Sequence, residues 1–412
     1  MKILIVSSEA PPITSGVSRC VDRLATGLRA RGHQADVLSS LQVPRMTMHE
    51  MRLSSLGMHW RRLAGGLPEY DLVNLHGPAP TVSDVFLHRI GRLPADLRPR
   101  VVYTHHGPMA IPRLGAACTF YNTFHRMLSR RSDLVVTSSR DYAEYHFMPG
   151  GPPVTFVPWG VDRLPSTDRN LAARGEAPTL RVLFVGQMRP YKGVDNLLEA
   201  VAGQPSLELT LIGRGPKLDH YRRMAAALSA GNATFRGWLP DATVLAEYAR
   251  HDIIALPSVT RAEAFGLVLL EGMRSGCVPV ASDLPGVREV AGPTGALVPP
   301  GDTGALRETL LALARDPARL AQLRPLSVRR AADLSWDVCV DRYEELFELT
   351  LRGGRPLGIG VGAGVARPGG SLALDPTTRL PAGDFVLDLR GNGAQRNESY
   401  EPGERREIRE RV

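Results

Sequence analysis

The stretch Glu263-AFGLVLL-Glu271 decides the reading of the fold. Upstream of it runs Asp252-IIALPS and downstream GMRSGCVPVAS-Asp283, two short apolar runs of strand type around a loop and a helix-like segment. Strands joined through a helix lie parallel, so the two carboxylates fall where a loop becomes a helix at the carboxyl edge of a parallel sheet. In open α/β sheets ligands bind at that edge. The expected helix starts at Ala264, and its first turn, Ala264 to Val268, carries amides without intrahelical partners at the positive end of the dipole, an anion site. Gly266 admits a ligand close to the backbone. A carboxylate repels phosphate, so Glu263 reads as an acceptor for sugar hydroxyls and Glu271 as one for a ribose diol. Taken alone, such a pair would more often be a helix cap and a surface ion pair.

A second element lies upstream. Leu180-RVLFV-Gly186 is an apolar run of strand type, Gln187-MRPYK-Gly193 a loop, and VDNLLEAV a helix with apolar residues at three- and four-residue spacing. Arg189 and Lys192 therefore stand in the loop after the first strand of a βα unit. A planar guanidinium fork beside a compact ammonium suits a diphosphate.

In their order, Gly186 with Arg189-PYK-Gly193, LIGRGP from Leu211 to Pro216, GWLP from Gly237 to Pro240, LPS at Leu256 to Ser258 and the spaced glutamates form a composite pattern. It resembles the donor half of the retaining GT-B glycosyltransferases of the family 4 type, over roughly residues 1 to 350. The resemblance implies two Rossmann-like domains with parallel sheets facing a central cleft and a nucleoside-diphosphate sugar held mostly by the second. It implies Arg189 and Lys192 on the diphosphate and Glu263 on the donor sugar. Gly16, Gly186, Gly213 and the backbone at Ala264, Phe265, Gly266 and Leu267 would meet sugar and phosphate, Glu271 the ribose, and Gly237, Trp238 and Leu239 the base. It further implies front-face transfer with retained configuration and no required metal or cofactor, in keeping with the lack of an Asp-x-Asp triplet.

The first half opens as a βαβ unit: Met1-KILIVSSE, a Gly/Pro loop, an amphipathic helix SRCVDRLATGLRARGH and the strand QADVLSS. The resembled family carries two adjacent glycines where this chain has Ser15-Gly16, and commonly Asn where it has Trp159. No GxGxxG follows the first strand, which argues against a dinucleotide-dependent dehydrogenase. Asp71-LVNLHGP and Arg100-VVYTHHGP end two further strands in histidine, so His76, His105 and His106 are expected at the edge of the first sheet. By resemblance His106 faces the reacting sugar, with His76 and His105 on the acceptor side. The arginines from Arg19 to Arg31 and from Arg126 to Arg131 read as mostly solvated helix faces.

The expected organisation is an acceptor-side domain over 1–165, a donor-binding domain over 176–335, a terminal helix over 336–352 that crosses back to the first domain, and a Gly/Arg/Pro-rich tail over 353–412 read as disordered. With 412 residues and 43% hydrophobic content, each domain has enough core. The formal net charge of +8 favours acidic partners, yet nothing resembles a nucleic-acid module. The four cysteines show no metal spacing and fit a reduced compartment. Met1-KILIV is too short for a signal-peptide core, and the expected location is cytoplasmic, with contact at the inner face of the membrane left open. Segments 45–66 and 111–131 mix aromatic and apolar residues with cations. They read first as an acceptor-side loop and a core-packed helix, and second as an interfacial surface for a lipid-linked acceptor. The acceptor itself, whether lipid-linked, polysaccharide or small molecule, is not legible. A nucleotide-sugar epimerase and a non-catalytic nucleotide-sugar-binding protein stand as alternatives to transfer.

Overall fold

The computed structural model describes residues 1–13, 15–39, 42, 45–48, 51–109, 114–162 and 179–354. The expected linker after Asp162 and nearly all of the tail lie outside the described residues. The first half contains β1 (Lys2–Val6), β2 (Gln34–Leu38), β3 (Arg45–Met48), β4 (Met51–Ser54), β5 (Leu72–Gly77), β6 (Arg100–His105), β7 (Leu134–Thr137) and β8 (Val154–Phe156). The second contains β9 (Leu180–Val185), β10 (Leu207–Ile212), β11 (Ala233–Gly237), β12 (Ile253–Leu256), β13 (Val278–Ser282) and β14 (Ala296–Val298). Apart from the antiparallel hairpin β3–β4, the strands form two six-stranded sheets, ordered β2-β1-β5-β6-β7-β8 and β11-β10-β9-β12-β13-β14, with every pairing parallel. Helices cover both faces, which is why strands such as β5 and β12 are buried along their whole length and read as near-continuous apolar runs.

Each sheet order reverses once, between β1 and β5 in the first and between β9 and β12 in the second. At such a reversal the two neighbouring connections leave in opposite directions and open a crevice above the strand ends. Gly16, at the start of the helix after β1, and His76, at the end of β5, stand at the first reversal, and the segments carrying Lys192 and Glu263 leave the second.

The two halves share one apolar core, in which Ile3, Ile5 and Val136 join Leu256, Phe265 and Leu270. The helix Trp336–Leu351 begins after β14 and buries Trp336, Val340, Tyr343 and Phe347 in that same core, against the helix Gly16–Ala30 of the first half. The contact is tight enough to need a glycine: a β-carbon at Gly27 would lie 2.6 Å from Val340 Cγ2.

The segments 45–66 and 111–131 divide between the two readings given for them. Trp60, on the helix Leu56–Gly66, is buried edge-on against Phe86 with ring centroids 5.6 Å apart, so it is core and not an interfacial anchor. The helix Gly115–Leu128 is core-packed along one face only, through Cys118, His125 and Leu128. Its opposite face leaves Phe120 74%, Phe124 43% and Met127 63% exposed, at the three- and four-residue spacing that places them side by side.

The Gly27 contact yields a test. Gly27→Ala gains about 1 kcal/mol of helix propensity but overpacks the seam, and its net effect is expected to be destabilising by about 1–3 kcal/mol. Adding Val340→Ala makes room and restores part of the loss, read as a positive coupling in a denaturation double-mutant cycle. Strictly additive effects would show that the two helices do not meet there.

Candidate active site

Gly186, Gly213 and Gly237 sit at the carboxyl ends of the neighbouring strands β9, β10 and β11 and are laced together by their own backbone: Gly186 N donates to Ile212 O at 3.0 Å and Gly213 N to Gly237 O at 2.7 Å. Beyond β9 the chain makes a single 3-10 turn, Pro190–Lys192, and then passes through Gly193 at φ +65. Gly193 presses on the Pro257 carbonyl so closely that no β-carbon would fit, and Val259 N donates to Tyr191 O at 2.8 Å. The loop after β9 is thus clamped to the loop after β12.

Across that clamp Lys192 Nζ donates to Glu263 Oε2 at 2.5 Å, and Ser258 Oγ donates to the same oxygen at 3.3 Å. Both charged side chains are nearly buried, 13% and 11% exposed. Burial pulls the Lys192 ammonium down, and the Glu263 carboxylate with Tyr191 more than offsets it, so the group is held charged above its ordinary range. Arg189 lies on the same turn but points elsewhere: its Nε donates to Gln187 Oε1 at 2.7 Å and its side chain stays partly exposed. It is a cation at the rim, while Lys192 is one at the floor.

The helix after Glu263 does not begin at Ala264. Gly266 takes a left-handed conformation at φ +82, and the helix spans Leu267–Met273. The reason is local packing: a β-carbon at Gly266 would lie 2.8 Å from Leu256 Cδ2, so the turn passes directly over the end of β12 before coiling. The unpaired amides at the helix mouth are therefore those of Leu267 and Val268, with Leu269 N already bonded to Gly266 O at 2.9 Å. Phe265 is buried beneath this turn. Glu271 consequently stands one turn into the helix. It accepts a hydrogen bond from Tyr248 Oη at 2.8 Å and forms an ion pair with Arg19 of the opposite half. Arg19 is not a solvated helix cation but a bridge across the cleft.

The first half supplies the facing wall. A β-carbon at Gly16 would lie 3.8 Å from Leu267 Cδ1, and one at Gly107 only 2.7 Å from that of Ala264. His106 and Gly107 therefore lie directly against the Ala262–Leu267 loop, and a pocket opens there between His106, Ser7, Val17, Met109 and Ala262. His106 accepts or donates one ring bond, to His76 at 2.7 Å, and stacks on Trp159 with centroids 5.2 Å apart and planes 8° from parallel. Trp159 stacks in turn on Tyr343 of the last helix at 5.8 Å. The Trp at 159 is accounted for by this column, in which an indole fills the space between an imidazole and a phenol.

The three strand-end histidines part company. His76 forms part of the pocket floor but is buried behind His106, with its other nitrogen 2.8 Å from Asn74 Oδ1. His105 does not reach the cleft: successive residues of a strand face opposite sides, so His105 turns away from His106 and packs on Tyr142 and on His146, the two imidazoles 4.0 Å apart. Its placement on the acceptor side is corrected accordingly. Trp238 is 56% exposed at the far rim with the Arg214 guanidinium over its ring at 5.5 Å, and Leu239 packs inward on the shared core. Asn74 is not singled out by the sequence, and Ser258 only as the end of the LPS motif, without a role. Asn74 had a visible signal, an amide in the middle of the apolar strand LVNLHG, since a buried polar side chain needs partners.

Burial pushes His106 and His125 down to about 4 and His146 to about 3, and holds His76 and His105 well below the ordinary imidazole range. All five are neutral in the fold, whereas in the unfolded chain they charge near pH 6.5. Their contribution to stability is therefore complete above about pH 6.5 and is lost as pH falls toward their folded values. The urea midpoint should drop steeply between pH 6.5 and 4.5, and His146→Phe should flatten the slope. A midpoint unchanged over that window would contradict the burial of these rings.

Comparison with known proteins follows the same lines. A family model described as Glycosyltransferase Family 4 matches residues 14–163, and one described as Glycosyl transferases group 1 matches residues 179–316. Glycogen synthase of Mycobacterium tuberculosis is 29% identical over 409 aligned residues, covering 86% of this chain and 96% of that one. Phosphatidyl-myo-inositol mannosyltransferase of Mycolicibacterium smegmatis is 34% identical over 203 residues, 47% of this chain and 51% of that one. Among solved structures, sucrose-phosphate synthase from Thermosynechococcus elongatus superposes with a TM-score of 0.68 at 19% identity, over 86% of this chain and 100% of that one. Anabaena Alr3699/HepE in complex with UDP-glucose gives 0.64 at 19% identity, over 84% and 99%.

Proposed function

The chain belongs to the family 4 glycosyltransferases of the GT-B fold, and from that premise we propose that it moves a hexose from a nucleoside diphosphate to an acceptor hydroxyl with the anomeric configuration retained. The observation that carries the reading is the buried Lys192–Glu263 pair at the reversal between β9 and β12, beside the open amides of Leu267 and Val268. A diphosphate seated there meets Lys192, the helix mouth and, at the rim, Arg189. These stabilise the charge that grows on the leaving group, so no metal is required for that task. Glu263, already oriented by Lys192 and Ser258, accepts from the hexose hydroxyls. Membership of the family implies front-face departure, with the diphosphate helping to remove the acceptor's proton. Glu271 serves the ribose by exchanging its Arg19 bond for the diol, and the Trp238 rim lies toward the base. The named relatives are synthases and transferases, which favours transfer over epimerisation of the donor.

A lipid-borne acceptor at a membrane surface, with the enzyme on the cytoplasmic side, is the reading of the acceptor favoured by the outward Phe120, Phe124 and Met127 face, which borders Arg126 and Arg130. One of the relatives is named for a phosphatidylinositol acceptor. Among the described residues no helix is long and apolar enough to cross a membrane.

A thermal-shift screen of nucleoside-diphosphate hexoses identifies the donor, since ligand binding to the fold raises the apparent melting temperature. With that donor, Lys192→Ala is expected to lower turnover by about 10²-fold or more, and Arg189→Ala in the same direction, each with a smaller effect on donor affinity. Near-native turnover in both variants would remove the diphosphate assignment. For the acceptor reading, co-sedimentation with anionic vesicles at low salt is expected, and the triple change Phe120→Ser, Phe124→Ser, Met127→Ser should abolish it; absence of binding by the parent protein would eliminate the membrane surface.

A further inference from the structure

Behind His106 runs a chain of hydrogen bonds whose direction can be worked out atom by atom. Asn74 Nδ2 lies 3.1 Å from the Val102 carbonyl and 2.9 Å from Thr104 Oγ1. A carbonyl only accepts, so the atom facing it is the amide NH₂, and Asn74 Oδ1 is the atom facing His76. Oδ1 also only accepts, so His76 Nε2, at 2.8 Å, carries the proton. Burial keeps His76 neutral, and its Nδ1 is then a bare lone pair. His106 Nε2, 2.7 Å from that lone pair, must in turn be protonated. His106 is neutral as well, which leaves its Nδ1 bare, with no protein partner among the described residues, on an imidazole that lines the cleft pocket.

We infer that Asn74 and His76 are positioning residues: they lock His106 in its Nε2–H tautomer, so that Nδ1 presents a lone pair to the cleft and accepts a hydrogen bond from a hydroxyl of the donor hexose. The assignment to the hexose rests on the glycosyl-transfer reading above and on the position of the His106–Gly107 loop against Ala264, next to Glu263. The rest of the site prepares the same geometry. The Trp159 stack holds the ring plane, and the His106 amide donates to Gly77 O at 2.8 Å, which fixes the backbone. Thr104 Oγ1, the second partner of the Asn74 amide, lies 3.3 Å from Tyr343 Oη, so the last helix braces the far end of the chain. The outcome is an imidazole edge in the pocket that accepts and does not donate. It favours hydroxyl donors and turns unfavourable once His106 is protonated.

Long-range proton–nitrogen NMR on the ¹⁵N-histidine-labelled full chain tests the lock without any substrate, so it stands or falls apart from the functional reading. Wild-type His106, assigned through His106→Gln, is expected as a pure Nε2–H tautomer. Asn74→Leu and His76→Phe should each convert it to a mixture while near-ultraviolet circular dichroism stays native. An Nδ1–H resonance in the wild type overturns the inference, and where a variant does not fold, the wild-type spectrum alone decides. With the donor found by thermal shift, the Nδ1 resonance should move on adding the nucleoside-diphosphate hexose and not the free nucleoside diphosphate; movement with the latter overturns the assignment to the hexose. Turnover should follow: kcat/KM falls about tenfold in Asn74→Leu, with little further loss when His106→Ala is added. Full additivity of the two overturns the relay.

Discussion

A lysine and a glutamate, both nearly removed from water, meet across the crevice between two loops of the second sheet. Either charge buried alone would cost several kcal/mol, so the Lys192–Glu263 pair exists only if β9 and β12 are neighbours and their loops are held in register. The structure meets that condition with backbone: Gly193 against Pro257, Val259 bonded to Tyr191, and Gly266 folded over Leu256. The pair in turn leaves a fixed cation and a fixed acceptor beside the amides of a helix mouth. An anionic leaving group and a polyhydroxylated ring are the ligands whose chemistry matches that arrangement.

The opposite wall is organised by aromatic stacking. His106, Trp159 and Tyr343 form a nearly parallel column that links β6, the segment after β8 and the terminal helix. Because Tyr343 belongs to the helix that returns from the second half, the orientation of a cleft histidine depends on docking between the halves. Arg19 and Glu271 make a second such link on the other side. Ligand chemistry and inter-half packing are therefore not separable here. Any ligand that engaged Glu271 would also act on the bridge that ties the halves together.

The parallel sheets, the strand ends and the cationic loop were legible because each is a local pattern: apolar runs of strand length, glycines at their ends, and helical periodicity after them. The start of the helix at Leu267 was not. Ala264-Phe265-Gly266 is compatible with a helical first turn, and only the side chain of Leu256, from a strand one loop away, forces the left-handed turn at Gly266. The same holds for Arg19, whose helical spacing reads as solvated until Glu271 is placed opposite it, and for Phe120, which reads as core until the fold leaves it on the exposed face of its helix.

By itself, then, the order of motifs determined the family, the doubly wound class and the placement of Lys192, Glu263 and His106 at the carboxyl edges of the sheets, because those features depend on residue type and spacing along the chain. Tertiary structure alone decided which histidine faces the cleft, why a tryptophan occupies position 159, and which ring nitrogen of His106 is free. Those outcomes depend on strand alternation, on stacking between segments far apart in sequence, and on a chain of donors and acceptors that closes only when β5, β6 and the last helix are brought together.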